Sequence, residues 1–245
     1  MRQYKKDNPL SYALGMTLVF ELIQSHPKQV REVYFHTKHR PNEHTEKLIR
    51  QLNDYHIPYQ EQDKIFNILS PKDNCFVIAA FEKYESSFSK GKSHIVLVEP
   101  ENAGNLGTII RTALGFGIDH LVLIGKHVDF FDPRVIRASM GAIFHVRIVT
   151  YPSFEAYKMD YSSQHFYPFM LQTNQILGSA PIESPYSLIF GPESQGLDDG
   201  FLSIGTPIRI AHNKAIDSLN ITSAISIALY EATKQEFISK GTHHE

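Results

Sequence analysis

The sequence has little cysteine and no segment typical of a membrane or secreted protein. Cys75 is the one cysteine among 245 residues, which excludes an internal disulfide and favours a reducing compartment. No apolar run approaches the roughly 18 residues that a membrane-spanning helix needs, and residues 1–15 lack the apolar stretch and cleavage site of a signal peptide. We therefore expect a cytoplasmic globular protein without a membrane partner.

The sequence also lacks a recognisable metal-ligand set, although it contains 13 histidines. His36, His39 and His44 are close together, but they lie in a polar segment without cysteine or carboxylate partners at ligand spacing. We therefore expect no metal.

Composition and charge are those of an ordinary soluble domain, with 42% hydrophobic and 20% charged residues. A net charge of −2 argues against a protein that coats nucleic acid indiscriminately. Residues 1–92 hold 14 Lys and Arg and 11 Asp and Glu, a net charge of +3, whereas the remainder holds 10 and 15, a net charge of −5. The basic residues near the histidines are candidates for RNA-backbone contacts, although ordinary solvated surface is an equal interpretation: Lys38, Arg40, Lys47 and Arg50.

The apolar pattern divides the chain into residues 1–82, a polar linker at 83–93 that is rich in Ser, Lys and Gly, and residues 94–245. The first part alternates helix and strand, which predicts a small αβα unit. Its predicted helices are 11–25, 43–55 and 63–69, and its predicted strands are 30–35, 57–59 and 75–81.

The second part contains short, fully apolar strands separated by helices. Strands without alternation imply a parallel sheet with both faces buried, so the expected fold class is α/β. The predicted strands are 95–98, 121–124, 146–149, 166–170, 188–190 and 206–210, and the predicted helices are 105–117, one opened by Asp132 and Pro133, and 218–238.

A first candidate loop, within residues 99–117, follows a predicted strand and opens a helix. Ligands of open parallel sheets bind beyond the carboxyl ends of the strands, where this loop lies. The segment lacks the G-x-G-x-x-G fingerprint of dinucleotide binding. It carries Asn105, Gly107 and Arg111, and for Arg111 taken alone we favour a surface residue in an ion pair.

Two further loops follow later predicted strands. In residues 187–197 an apolar strand ends directly at Gly191, Pro192 and Glu193, an arrangement that is also compatible with a tight turn and a solvated glutamate. In residues 208–235 a polar loop leads into the last helix, where Asp217 or Ser218 is the expected N-cap.

Together the three loops resemble the SpoU (TrmH) family of RNA ribose methyltransferases, within the SPOUT superfamily. The family's motifs occur in order: an Asn-x-Gly-x-x-x-Arg core, an apolar strand ending in Gly-x-Glu, and Ser-Leu-Asn at the last helix. The matching residues are Asn105, Gly107 and Arg111, then Gly191, Glu193 and Gly196, then Ser218, Leu219 and Asn220. The resemblance implies methyl transfer from S-adenosylmethionine to a ribose 2′-hydroxyl of structured RNA, either rRNA or tRNA.

The resemblance also implies an architecture. Residues 94–245 are expected to form a parallel-sheet SPOUT catalytic domain with a trefoil knot, and residues 1–82 a ribosomal-protein-like αβα domain that binds RNA. Family members are homodimers with a shared substrate site. The predicted helix 218–238 is a candidate contributor to the interface, although its apolar residues are equally explained by burial.

Site residues follow from the same resemblance. Gly191, Ile210 and Leu219, with Leu188 and Ile189 of the preceding strand, are expected to border the cofactor. The expected catalytic set is Arg111, Asn105, Glu193, Ser218 and Asn220. A guanidinium has a pKa above about 12 and no lone pair to spare, so we favour Arg111 as a phosphate ligand that stabilises a developing alkoxide, with Ser218 or water relaying the proton. Two alternatives stay open: a knotted base methyltransferase and a catalytically silent RNA-binding module.

Overall fold

The protein, described by a computed structural model of residues 4–70 and 75–240, is built on two β-sheets, one in each half of the chain. The first sheet has the order β1-β4-β2-β3. Its strands are β1 (Leu10–Leu14), β2 (Val30–Phe35), β3 (Tyr59–Glu61) and β4 (Val77–Glu82), and its helices are α1 (Met16–Ser25), α2 (Glu43–Asp54) and α3 (Asp63–Leu69). Strand β4 is antiparallel to β1 and β2, whereas β2 and β3 are parallel.

The second sheet is entirely parallel, with the order β7-β6-β5-β9-β8. Its strands are β5 (His94–Val98), β6 (His120–Ile124), β7 (Arg147–Tyr151), β8 (His165–Pro168) and β9 (Tyr186–Phe190). The helices around it are α4 (Ala103–Gly115), α5 (Pro133–Ala138), α6 (Phe154–Asp160) and α7 (Ile221–Lys240). Alternate residues of these strands enter different core clusters, so both faces are buried, as the apolar strands predict. The predicted α/β fold with a parallel sheet is confirmed.

Two sequence-based expectations about helices are wrong, and one helix was missed. Residues 11–14, predicted as helical, form strand β1, because Gly15 adopts a left-handed φ of 104° and separates the strand from α1. Helix α6 was not predicted. Helix α7 begins at Ile221, three residues after the predicted start.

The two halves of the chain share one continuous hydrophobic core. The ring of Phe81, in β4, lies 5.7 Å from the rings of both Phe131 and Phe144 in the second half. The predicted linker at 83–93 takes part in this contact: Lys83 forms a 2.7 Å ion pair with Asp129, and Tyr84 packs against Phe131. The segment therefore joins two packed halves and is not a free tether.

The described residues contain neither a candidate membrane span nor a candidate metal site. No helix in residues 4–70 and 75–240 has both the length and the apolar character that a bilayer crossing requires. Within these ranges no three His, Cys, Asp or Glu side chains are grouped as metal ligands. His36 Nδ1 lies 3.0 Å from an Asp63 carboxylate oxygen, and His39 Nε2 lies 2.8 Å from Thr45 Oγ1.

Gly107 permits the close approach of α4 and α5. A Cβ at this position would lie 2.5 Å from the Cβ of Ala138 and 2.6 Å from the carbonyl oxygen of Val135. These atoms belong to a packed helix, so they cannot yield without a backbone shift.

We expect Gly107→Ala to lower the free energy of unfolding by about 1–3 kcal/mol, because the added methyl group overpacks the α4–α5 contact. Gly115→Ala, in the same helix but with no atom within 4 Å of the new Cβ, serves as the control. The control should be neutral or stabilising, since alanine favours helix. Urea unfolding of the two variants checks this, and equal midpoints would contradict the packing role of Gly107.

A chain of hydrogen bonds runs through the core beneath β5 and β9. His94 Nδ1 lies 2.7 Å from Tyr157 Oη, which lies 2.6 Å from Ser187 Oγ, and Ser187 donates to Gln164 Oε1. Because Ser187 donates to Gln164, each hydroxyl in the chain donates onward if His94 Nδ1 donates to Tyr157 Oη and Tyr157 donates to Ser187. A neutral His94 ring with its proton on Nδ1 is sufficient for this. Burial, together with the nearby His120 ring, lowers the pKa of His94 to about 3.

This depressed pKa predicts acid sensitivity. The unfolded chain binds a proton at His94 near pH 6.5, whereas the folded chain does not, so the stability contribution is complete above pH 6.5 and is lost as pH falls toward 3. Each pH unit in that window costs about 1.4 kcal/mol. We expect His94→Asn, whose amide can still bond Tyr157, to reduce the slope of unfolding free energy against pH. The exposed His44→Asn is the control. Identical slopes in both variants would refute the assignment.

Candidate active site

A cavity of about 420 Å³ lies beyond the carboxyl end of β9. Three chain segments enclose it: the loop after β9, a segment at 208–212, and the residues that precede α7. The lining residues are Asn105, Phe169–Leu171, Phe190–Gly196, Ile208, Ile210, His212 and Asp217–Ile221, with Ala224.

The loop after β9 folds back on itself directly at Gly191. A Cβ on Gly191 would lie 2.2 Å from the carbonyl carbon of Gly196 and 2.3 Å from the nitrogen of Leu197. Gly196 itself has a φ of 72° and donates its N–H to the Pro192 carbonyl at 2.9 Å. Both glycines of the second motif are therefore required by backbone geometry, and the folded loop presents Glu193 at the cavity.

The segment 206–210 forms hydrogen bonds on both of its sides. Ile208 donates its N–H to the Pro168 carbonyl and accepts from Met170 N, at 2.8 and 2.9 Å. The next residue, Arg209, donates to the Gln175 carbonyl and accepts from Leu177 N, at 2.8 and 2.9 Å. The segment thus runs between two stretches of one connection, and Ile208 and Ile210 line the cavity.

The start of α7 places the third motif at the cavity. Asn220 Oδ1 accepts from Thr222 N at 2.9 Å, so Asn220 has the capping role that the sequence assigned to Asp217 or Ser218. Because the helix begins after Asn220, Ser218 and Leu219 remain in the loop and line the cavity. The amide nitrogen of Asn220 has no hydrogen-bond partner among the described residues.

The first and second motifs are joined by a hydrogen bond. Asn105 Nδ2 donates to Glu193 Oε1 at 3.0 Å, which connects α4 to the loop after β9. Asn102 caps α4 by accepting from Asn105 N at 3.0 Å. A second depression of about 280 Å³ adjoins the cavity and shares Asn105, Glu193 and Ser194 with it.

Seven of the ten predicted site residues line the cavity: Asn105, Gly191, Glu193, Ile210, Ser218, Leu219 and Asn220. Three do not. Leu188 and Ile189 are fully buried in β9, within the core. Arg111 is exposed and lies six residues beyond Asn105 on α4, which places it about 9 Å along the helix and about 120° around it. Among the described residues it has no ion pair or hydrogen bond.

Several lining residues were not found by the sequence analysis. Phe169 and Phe190 stack with ring centroids 4.5 Å apart and form an apolar wall. His212 and Asp217 line the cavity from the loop before α7. Such positions carry no sequence signal, because only the path of the chain brings them to the cavity.

The ionisable lining residues are Glu193, Asp217 and His212, and within the described part of the chain no Lys or Arg side chain lines the cavity. With a neutral imidazole the cavity therefore carries two negative charges. Such a site favours a ligand with net positive charge.

Comparison with known proteins decides the family. The model of the SpoU rRNA methylase family matches residues 92–230, more than half of the chain. This chain belongs to the SpoU rRNA methylase family. The family that the three motifs predict is therefore confirmed, and so are the enzyme class of RNA methyltransferase and the cofactor S-adenosylmethionine.

Individual relatives are distant. The chain is 25% identical to an uncharacterised tRNA/rRNA methyltransferase of Synechocystis sp. over 193 residues, which are 78% of this chain and 70% of the relative. It is 27% identical over 149 residues to the 23S rRNA (guanosine(2553)-2′-O)-methyltransferase of Bacillus subtilis, 60% of each chain. It is 28% identical to the 23S rRNA (uridine(2479)-2′-O)-methyltransferase of Streptomyces viridochromogenes over 58% of this chain and 52% of the relative.

Solved structures share the fold over nearly the whole chain. The AdoMet-bound rRNA methyltransferase from Sinorhizobium meliloti superposes with a TM-score of 0.79 at 23% identity, covering 93% of this chain and 88% of that one. The SpoU methyltransferase AviRb from Streptomyces viridochromogenes, in complex with AdoMet, gives 0.79 at 19% identity, covering 94% and 92%.

The residues of the cavity fit S-adenosylmethionine. The cofactor has a sulfonium, an ammonium and a carboxylate, and hence a net charge of +1, which suits a cavity lined by Glu193 and Asp217. The apolar wall of Phe169 and Phe190 suits its purine. Gly191 has no side chain to fill the cavity, so the backbone of the loop itself borders the space that the cofactor would occupy.

We expect Gly191→Ala to weaken S-adenosylmethionine binding by about tenfold to a hundredfold, because the methyl group would force the loop away from Gly196 and Leu197. Ser194→Ala is the matched control, since Ser194 lines the cavity without a close contact of this kind. Isothermal titration calorimetry measures both. Wild-type affinity in Gly191→Ala would show that the loop geometry is not needed for the cofactor.

Proposed function

We propose that this protein transfers the methyl group of S-adenosylmethionine to a ribose 2′-hydroxyl of rRNA or tRNA, and that it does so in the cytoplasm. One observation supports this above all others. The hydrogen-bonded pair Asn105 and Glu193 and the Ser218–Asn220 turn meet at one cavity whose charge suits a sulfonium.

The chemistry needs position more than activation. The sulfonium methyl is already a good electrophile, so the protein must hold the 2′-oxygen in line with it and help its proton to leave. Glu193, Asn105 and the free amide nitrogen of Asn220 supply hydrogen bonds that orient the ribose. Ser218, exposed at the rim, can relay a proton.

In this proposal Arg111 acts at the cavity of a second copy of the chain. It does not line the cavity of its own protomer, yet it stands on an exposed stripe of α4 whose other members are small. The stripe consists of Gly104, Thr108, Arg111 and Gly115. A partner docked on this stripe could receive Arg111 at its own cavity, where the guanidinium would bind RNA phosphate and stabilise the developing alkoxide.

Helix α7 provides an apolar surface for the same homodimer. Four large apolar side chains on it are between 41% and 61% exposed: Ile227, Tyr230, Phe237 and Ile238. Tyr230 and Phe237 contact the ring of Phe116, which directly follows α4, so the apolar surface adjoins the Arg111 stripe. An exposed apolar surface of this kind is typical of a subunit interface.

We propose that residues 1–82 bind the RNA substrate and that residues 94–245 carry out the catalysis. Residues 83–93 connect the two parts. The basic side chains of the first part support this division, and the shared core would hold the RNA reader at a constant distance from the cavity. A trefoil knot is proposed for the second part. The passage of segment 206–210 between residues 166–170 and 175–177 supports it.

Nucleoside analysis tests the function. Unmodified rRNA and tRNA transcripts are incubated with the protein and tritiated S-adenosylmethionine, and the label should appear in alkali-stable dinucleotides, because a 2′-O-methyl group blocks backbone hydrolysis. A labelled base would establish the base-methyltransferase alternative. Cofactor binding without transfer to any of these transcripts would favour the silent RNA-binding module.

The shared site is tested by mixing two inactive variants. Arg111→Ala should abolish transfer with little change in cofactor affinity. Gly191→Ala, with its cofactor affinity weakened about tenfold to a hundredfold, should transfer little when the cofactor is supplied near the wild-type dissociation constant. A mixed dimer has one complete site, made of the intact cavity of the first variant and Arg111 of the second. Random exchange should therefore restore about a quarter of wild-type activity. No recovery, with mixed dimers demonstrated, would place Arg111 in its own protomer's site.

A further inference from the structure

His212 lines the cavity, although the loop to which it belongs is otherwise exposed. Within residues 211–218, every residue is exposed except His212, which is half-buried and lines the cavity. Ser218 and Asn220, which lie where this loop leads into α7, line the same cavity. Within the described residues, His212 is the one histidine that lines the cavity, and histidine is the side chain that most often serves as a general base.

A backbone contact determines which nitrogen of His212 is free. Nδ1 lies 3.0 Å from the carbonyl oxygen of Ile210, an acceptor that can only receive a hydrogen bond. The proton of the neutral ring is therefore on Nδ1, and Nε2 keeps its lone pair. Ile210 directly follows Arg209, whose backbone N–H and carbonyl are both hydrogen-bonded, so the carbonyl that orients the ring belongs to a fixed part of the chain.

Two carboxylates share the cavity with His212. Glu193, on the loop after β9, and Asp217, on the same loop as His212, both line the cavity. Lys214 also belongs to the His212 loop, but it is exposed and does not line the cavity. The cavity thus holds acidic side chains, and a positive charge that moves from the sulfonium to the ring stays within an acidic cavity.

We propose that His212 is the proton acceptor of the methyl transfer. This inference rests on the proposed function. In the step, the 2′-oxygen forms a bond to the methyl carbon, the carbon–sulfur bond breaks, and its electron pair stays on sulfur as a neutral thioether. The hydroxyl proton passes to His212 Nε2, directly or through Ser218, and then leaves to solvent. Arg111 keeps its proton throughout.

Two near-isosteric variants test the role. His212→Asn places an amide near Nδ1 and can still donate to the Ile210 carbonyl, whereas His212→Gln places an amide near Nε2; neither can accept a proton. His165→Asn is the control, because His165 lies on β8 with a half-exposed side chain and does not line the cavity. Transfer to unmodified rRNA and tRNA transcripts is followed from pH 5 to 9, and cofactor affinity is measured by calorimetry.

We expect both His212 variants to lose at least about 100-fold in kcat, the usual range for a general base, with cofactor affinity within about threefold of wild type. We expect the wild-type rate to rise with pH and this rise to be absent from both variants. Wild-type kcat in either variant, or a fall in cofactor affinity as large as the fall in rate, would overturn the proposal. An inactive wild type would instead refute the proposed function, so the two failures are distinguishable.

Discussion

The site depends on the path of one short segment. Residues 206–210 are hydrogen-bonded to 166–170 on one side and to 175–177 on the other. These bonds leave the segment no freedom to slide, because a shift of one residue would exchange the side chains that face the cavity for those that face away. Ile208 and Ile210 are thereby held at the cavity. The loop that connects this segment to α7 carries His212, Ser218 and Asn220, which also line the cavity.

Close backbone packing shapes the loops and helices around the cavity. Gly191 meets Gly196 and Leu197 within the loop after β9, and Gly107 lets α4 approach α5. Helix α4 then holds Asn105 within hydrogen-bond distance of Glu193. The first two motifs therefore form one arrangement. Their glycines allow the backbone to pack closely, and this packing brings Asn105 and Glu193 within hydrogen-bond distance.

The continuous core packs the two halves of the chain directly against each other, whereas the polar composition of residues 83–93 predicts only a linker between them. Phe81 packs between Phe131 and Phe144, and the polar segment after β4 adds an ion pair and an aromatic contact to the same interface. A protein that must present one hydroxyl of a large RNA to a bound methyl donor benefits from such a fixed distance, since misplacement of reacting groups by an ångström is costly.

The sequence by itself determined the parallel α/β sheet, the three loops and their family, because apolar strands and motif spacing are local properties of the chain. It misassigned residues 11–14, where a helical spacing of apolar residues was overridden by strand pairing with β4 and a left-handed Gly15. Only the tertiary structure decided that Arg111 lies outside the cavity of its own protomer and that His212 lines it. Both depend on which distant segments lie side by side, and hydrogen bonds between segments far apart in the chain leave no periodicity in the sequence.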